Sequence, residues 1–376
     1  MRSWTILGLA ATACGAALAV ACGESSEAEQ DASSFSSFHD APAAGDSPII
    51  GDCPVFPANH IFNTPIGALP VDAHSADYIA TIGSGKLHLD LGQVVDPTSA
   101  EYYGIPYNAV HGMSFQWPTS KYAALDTANY SWHPAAESDC GNASHDVVSP
   151  CTNDPVLPIP ATPLVEGGIN TTPGQQPDGD YHMLIVDSDS CRLWEAYHSF
   201  KTNGTWNIFG SAVWDLHKND LRTAEWTSAD AAGFPIMPLL LKASEASSGT
   251  IKHALRFTIS SSKIAPRYVW PARHQTDTTA NAAHPPMGQL FRLKASFSIP
   301  ASANTQAKAI LEAMKTYGMY LADGGSSWYV SGEPSADWQD ATFGTVQAVP
   351  GDQFEAVDIT AITGKPGFDP DSGAVP

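Results

Sequence analysis

The sequence predicts a mainly β fold, a β-sandwich of jelly-roll type with a few short helices and long loops. Three observations lead there. Runs of β-forming residues, among them YHMLIVD, CRLWEAYHSF and HALRFTIS, are bounded by short turn segments. Strands come in succession and do not alternate with helices, which argues against a doubly wound α/β sheet. Only ANTQAKAILEAMKTYG carries a strong helical period.

Taken in order, the chain opens with Arg2 and the apolar run ILGLAATACGAALAVAC, too short to span a bilayer as a permanent helix. Residues 1–21 therefore read as a signal peptide. Ala19-Val20-Ala21-Cys22 places small residues before a cysteine, the pattern of a lipidation site at Cys22. The alternative is plain secretion, with Cys22 discarded alongside Cys14. Residues 22–48 then form a lipidated acidic tether, rich in Ser, Ala, Glu and Asp and poor in large apolar side chains. Such a segment buries too little surface to fold. Glu24 rather than Asp follows the anchor by two positions, which favours forwarding to an outer membrane. No Lys or Arg lies between Arg2 and Lys86, so membrane contact would rest on the acyl chains alone.

Residues 49–376 are expected to form a single β-rich domain. From Ile49 to about Pro163 the density of Pro, Gly, Asn and Asp predicts loops and short strands. YHMLIVD, CRLWEAYHSF and TWNIFGSAVWDL, joined by the turns SDS and KTNG, predict a three-stranded antiparallel meander. Alternation along its middle strand puts Leu193, Glu195 and Tyr197 on one face and Arg192, Trp194, Ala196 and His198 on the other. Pro235 and Pro238 restrict the following segment to short helices. HALRFTIS, APRYVWPAR and GQLFRLKASFSI read as three more strands. In the helical segment Ile310, Leu311, Met314 and Tyr317 share a face, with Gly318 at the C-cap. MYLAD and SSWYVSG complete the sheet.

The 39 acids against 18 bases give a net charge of -21, which repels polyphosphate and makes nucleic acid a poor partner. Most of the bases lie between Arg192 and Lys294, leaving one region able to meet an anionic ligand. Beyond the leader, Cys53, Cys140, Cys151 and Cys191 form an even set in an exported chain, so disulfides are expected. Of the three pairings, Cys140–Cys151 closes a short loop and leaves Cys53 for Cys191. No C-x-x-C pair supports zinc, and no metal site is assigned.

A nucleophile elbow, H-E-x-x-H, a P-loop and a Rossmann fingerprint are all missing from the sequence. Carboxylates in aromatic and glycine-rich settings are present instead: AESDCGN, LVEGG, DGDYHMLIVD, RLWEAYH, VWDLHKND and EWTSADAAG. With IFNTPIGALPVDAHS, Glu137-Ser138-Asp139, the Pro-Ile-Pro, Glu166-Gly167-Gly168, HMLIVD, CRLWEAY, WTSADAAGFPI, HALRF, YVWPARH, PPMG, RLKASF and YGMYLADGGSSWYVSG, the mature chain resembles a family of exported, largely uncharacterised bacterial proteins. The resemblance implies export and no particular chemistry. DCGNASHDVVSPCTN departs from the family pattern as an insertion carrying the Cys140/Cys151 pair.

Glycoside hydrolysis needs two carboxyls across a cleft, one protonated and one ionised. The candidates are Glu137, Asp139, Glu195, Asp215 and Asp230, with Trp226, Trp270 and Trp328 as stacking surfaces. No cofactor is required. A polysaccharide lyase acting on uronates would instead use Arg256, Arg273, His274, His182, His198 and Tyr197. A noncatalytic surface binder of extracellular polysaccharide is the third reading. For each residue a structural role competes: strand-edge charge, helix-start charge, core tryptophan, or arginine paired with one of the acids. The primary expectation is a lipid-anchored, monomeric glycoside hydrolase at the cell surface.

Overall fold

The computed structural model describes residues 47–123, 134–169, 179–276 and 281–376. The leader, Cys22 and all but the last two residues of the tether lie outside them. Ten strands form two main sheets: β1 His88–Asp90, β2 Tyr107–Val110, β3 Met183–Asp187, β4 Arg192–Tyr197, β5 Gly210–Asp215, β6 Leu255–Ile259, β7 Leu290–Leu293, β8 Met319–Gly324, β9 Tyr329–Ser331 and β10 Phe354–Ala356. Helices α1 Ser75–Ile82, α2 Ala243–Ser248 and α3 Thr305–Thr316 flank them.

The first sheet has the order β5-β4-β3-β2. Its antiparallel part is the expected meander, with Leu184 and Ala212 both opposite Glu195. β2 adds in parallel to β3. The run MLIVD shows no alternation in the sequence because β3 is buried on both sides. Leu184 and Val186 enter the main core, while Met183 and Ile185 enter a second one with Trp117, Leu157, Ile159, Trp194 and Trp206. The third predicted run divides. Thr205–Ile208 folds back on Phe200–Thr202 through Asn203 and Gly204, whose φ values of 51° and 84° give the left-handed pair a tight hairpin needs, and β5 follows.

The second sheet has the order β10-β7-β8-β6-β9-β1. β6/β8 and β9/β1 are parallel, whereas β7/β10, β7/β8 and β6/β9 are antiparallel. The fold is therefore mainly β, with mixed pairing in both main sheets. APRYVWPAR contributes only an isolated bridge, Tyr268 to Met287, in place of the expected strand. Pro266 and Pro271 have no N–H to give to a ladder.

One core joins the sheets. Leu193 and Trp214 of the first pack in the same cluster as Leu255, Phe257, Phe291, Leu321 and Val330 of the second. Helix α3 is sealed locally: the Asn304 side chain accepts from the Ala307 N–H at 2.8 Å, and Ile310, Leu311 and Met314 are buried. Each of those three contributes about 1.5–3 kcal/mol. Gly318, at φ 74°, ends the helix where a Cβ would come 2.5 Å from the Phe291 carbonyl oxygen.

Cys53 bonds Cys191 across 138 residues, and Cys140 bonds Cys151 across 11, closing the hairpin of Cys140–Gly141 and Val147–Val148. Two disulfides suit an oxidising, extracytoplasmic compartment. Among the described residues no helix is long and apolar enough to cross a membrane.

Candidate functional site

β1 and β9 end side by side, Asp90 opposite Ser331, and the loop before β3 comes to meet them. There a cleft of about 230 Å³ is lined by Asp90, Tyr102, Tyr103, Gly104, Glu166, Gly167, Gly179, Asp180 and Tyr181. Leu87, Leu89 and Leu91 are buried, so strand alternation turns Asp90 the other way, toward the cleft. Glu166 is set by the glycines that follow it. Gly167 and Gly168 take φ values of 68° and 83°, and a Cβ on Gly168 would sit 2.2 Å from the Pro97 carbonyl oxygen.

Glu166 and His182 hold each other by side chain and backbone. Glu166 Oε2 accepts from His182 Nδ1 at 2.6 Å and from the His182 N–H at 3.2 Å, and the Glu166 N–H donates to the His182 carbonyl. The other imidazole nitrogen, Nε2, donates to the Ala229 carbonyl at 2.9 Å, so both ring nitrogens carry protons. Burial opposes charge on His182, but the Glu166 carboxylate outweighs it and pushes the pKa up to about 9. Burial likewise opposes charge on Glu166, and the imidazolium and its hydrogen bonds hold that carboxyl below the usual range. Its side chain is 27% exposed, and Oε1 takes part in neither bond.

Asp90 is biased the opposite way. Burial raises its pKa, the neighbouring Glu166 charge adds to the rise, and hydrogen bonding with Tyr103 and the Arg256 charge only partly offset it. Asp180 is exposed and accepts a hydrogen bond from the Tyr197 hydroxyl at 3.2 Å. Asp323, half-buried at the end of β8, accepts from the Ala231 N–H at 3.1 Å; burial first, then the charge of Asp230, push it up to about 7.

Four of the residues singled out in the sequence converge beside this cleft: His182, Arg256, Asp230 and Glu195. Arg256 donates to Asp230 through Nε at 2.9 Å and Nη2 at 2.8 Å, and to Ser331 Oγ through Nη1 at 2.7 Å. Asp230 is fully buried and also caps the Ala232 N–H. Glu195 is fully buried as well. It accepts from the N–H groups of Ile236 and Met237, the start of the short turn that Pro235 and Pro238 allow, and burial pushes it up to about 7.

The other candidates lie elsewhere. Asp139 pairs with Arg222, which also donates to the carbonyls of Glu137 and Thr227 and lies over the rings of Trp214 and Trp226. Glu137 accepts from the Thr227 N–H at 2.9 Å. Asp215 is three positions along from Ala212, the partner of Glu195, hence on the opposite face of the sheet, where it meets Lys218 and His217. Arg273 grips Asp371 and the Pro370 carbonyl, and the His274 ring bonds the Ala231 carbonyl. Trp270 bonds the Ser372 carbonyl. Trp328 is fully buried, stacked on Phe257 and bonded to the Gly83 carbonyl.

Asp90, Asp323, Tyr102 and Tyr103 are not among the site residues expected from the sequence, and Glu166, Asp180 and Tyr181 stand there only within LVEGG and DGDYHMLIVD, without a role. One signal for Glu166 was present, an acid directly before two glycines. Asp90 gave none, since LHLDLG reads as an ordinary strand. No group of three or more His, Cys, Asp or Glu suited to a metal ion occurs among the described residues. No protein-family profile, curated protein or solved structure matches the chain.

Proposed function

We propose that the protein is a carbohydrate-active hydrolase that cleaves a glycosidic bond in this cleft, with Asp90 as the proton donor and Glu166 as the ionised carboxylate. One observation supports this above the others: two carboxyls with opposite protonation biases line the same cleft. Environments that push two carboxyl pKa values apart divide the acid and base roles of glycoside hydrolysis. Asp90 delivers its proton to the departing glycosidic oxygen. Glu166, held by His182 through Oε2, uses its carboxylate either to take the anomeric carbon or to activate water. Tyr103 and Tyr181 offer flat, partly polar surfaces to a sugar ring.

The lyase reading has less support, because Arg256 and Arg273 are both already engaged with carboxylates and serine or backbone oxygens. In architecture we read the two main sheets as a sandwich around the shared core, with parallel pairs that an antiparallel jelly roll does not contain. In location we read an exported protein tethered through Cys22 at an outer membrane, acting on an extracellular polysaccharide as a monomer.

A panel of purified polysaccharides assayed for both new reducing ends and unsaturated products tests the activity. Reducing ends alone are expected, lowered about 10²–10⁴-fold in Glu166→Gln and in Asp90→Asn. Unsaturated products, or full activity in both variants, would reject this assignment.

A further inference from the structure

The geometry points to a binding site for a soft univalent metal cation, Cu(I) in chemical class, formed by Met113 Sδ and His145 Nδ1. It is separate from the cleft, which neither residue lines. The two donor atoms stand 3.3 Å apart. Metal–nitrogen and metal–sulfur bonds of about 2.0 and 2.3 Å put their donors about 3.3 Å apart when they meet at about 100°. The pair already has the separation of two ligands on one ion. Both side chains reach the surface, His145 half-buried and Met113 69% exposed. The other methionines among the described residues, Met183, Met237, Met287, Met314 and Met319, are all 0% exposed. Met113 is thus the one whose thioether can meet an ion from solvent.

Each donor is positioned by its own segment. The short turn Gly112–Ser114 carries Met113, and its N–H groups are anchored: Gly112 donates to Asp187 Oδ1 and Met113 to Asp189 Oδ2, both at 2.9 Å. His145 stands in the hairpin that the Cys140–Cys151 disulfide closes. There Asn142 Oδ1 accepts from the N–H groups of Ser144 and Asp146, at 2.8 and 3.0 Å. Trp117 joins the two segments. Its indole lies parallel to the His145 ring, with centroids 4.2 Å apart and planes 4° apart, and its Nε1 donates to the Gly112 carbonyl at 2.9 Å. An imidazole held in one plane gives up little freedom when an ion binds.

The chemistry of the donors selects the ion. With its proton on Nδ1, His145 gains only a weak hydrogen bond, because a thioether is a poor acceptor. With the proton on Nε2, two lone pairs face each other, and a cation between them engages both. An uncharged, polarizable sulfur favours Cu(I) over harder divalent ions. A structural zinc ion takes four donors, and no group of three or more His, Cys, Asp or Glu suited to a metal occurs among the described residues. The four described cysteines are held in disulfides, so no thiolate among them competes for a soft ion.

The probe is Ag(I), which shares the charge and softness of Cu(I) and needs no reductant that would open the disulfides. Ag(I) is titrated calorimetrically into the full chain and into Met113→Leu, His145→Gln and His217→Gln, the last an exposed histidine away from the site. Any equivalent taken by Cys14 or Cys22 is common to all four proteins and cancels in the comparison. One equivalent is expected to weaken by about a hundredfold or more in Met113→Leu and in His145→Gln, to persist in His217→Gln, and to resist equimolar Zn(II). Met113→Leu keeps the side-chain volume at an exposed position, so its fold is retained even where His145→Gln disturbs the hairpin. As an independent readout, one equivalent of Ag(I) is expected to slow peroxide oxidation of Met113, followed by mass spectrometry of its peptide. Unchanged Ag(I) binding in Met113→Leu, displacement by equimolar Zn(II), or oxidation of Met113 at the same rate with and without Ag(I) overturns the inference and leaves the contact as a hydrogen bond to sulfur.

Discussion

Two clusters in this protein are built from the same ingredients, carboxylate, cation and aromatic ring, and differ in one respect. Around Arg222, the Asp139 carboxylate, the Glu137 and Thr227 carbonyls and the rings of Trp214 and Trp226 close on the guanidinium, with side-chain exposures of 4% for Arg222 and 5% for Asp139. Around His182, the pairing is equally tight, but Glu166 remains 27% exposed on the wall of a cleft. A charge pair closed off from solvent organises a fold; one that keeps an oxygen open to a cleft is available for chemistry. Residue type and local context, which are all a sequence displays, are nearly the same in both.

The largest effect expected from breaking this comparison falls on the closed cluster. Asp139→Ala strands a buried guanidinium, which costs about 3–5 kcal/mol. Urea unfolding followed by tryptophan fluorescence should register the loss as a lower midpoint with little change in slope. Turnover per folded molecule should stay within about twofold, since Asp139 does not line the cleft. A collapse of turnover in molecules that remain folded would place the chemistry at Arg222 instead.

How much of this was legible follows from the range of the interactions. Helix α3 was readable because Asn304, the apolar face and Gly318 act within one segment. The meander was readable because its strands are consecutive and Asn203-Gly204 announces its turn. The disulfides followed from an even cysteine set and one short loop. The cleft was not readable. Asp90 reaches it only because β1 pairs in parallel with β9, about two hundred and forty residues away, and no local pattern encodes that pairing. Glu195, by contrast, drew notice as an acid inside a strand, yet its oxygens serve the N–H groups of Ile236 and Met237. A charge in an apolar run shows that something satisfies it, and both a cleft and a turn of backbone can do so.

A smaller and pH-dependent effect separates the open pair from its surroundings. His182 has a raised pKa, so its share of stability is complete below the ordinary histidine value and is lost as pH rises through about 9. Glu166 has a lowered one, so its share is present above the ordinary carboxylate value and is lost as pH falls. The stabilisation is therefore greatest near pH 5–6. Comparing unmutated protein with Glu166→Gln by thermal melts, the gap should be about 2–3 kcal/mol near pH 6 and shrink by pH 9. A gap constant across that range would mean the pair is not charged in the folded protein.

The smallest effect is expected at Asp215, which gives the comparison its outer limit. Its side chain is 30% exposed, with Lys218 at 3.4 Å and His217 at 3.6 Å. Ion pairs in such solvent contribute about 0–1 kcal/mol, and salt weakens them further. Asp215→Asn also keeps an oxygen able to accept from the His217 N–H, as Oδ1 does at 3.1 Å. Stability should change by less than about 0.5 kcal/mol and activity not at all, measured by urea unfolding at two salt concentrations and by reducing-end release. Asp215 and Glu195 stand on adjacent strands but on opposite faces of the sheet, separated by the sheet itself. Adjacency in strand order made them resemble a catalytic pair, and the two-residue period of the strand keeps them apart. A drop in turnover in this variant would require Asp215 to reach substrate from the far face, and would move the site away from the cleft.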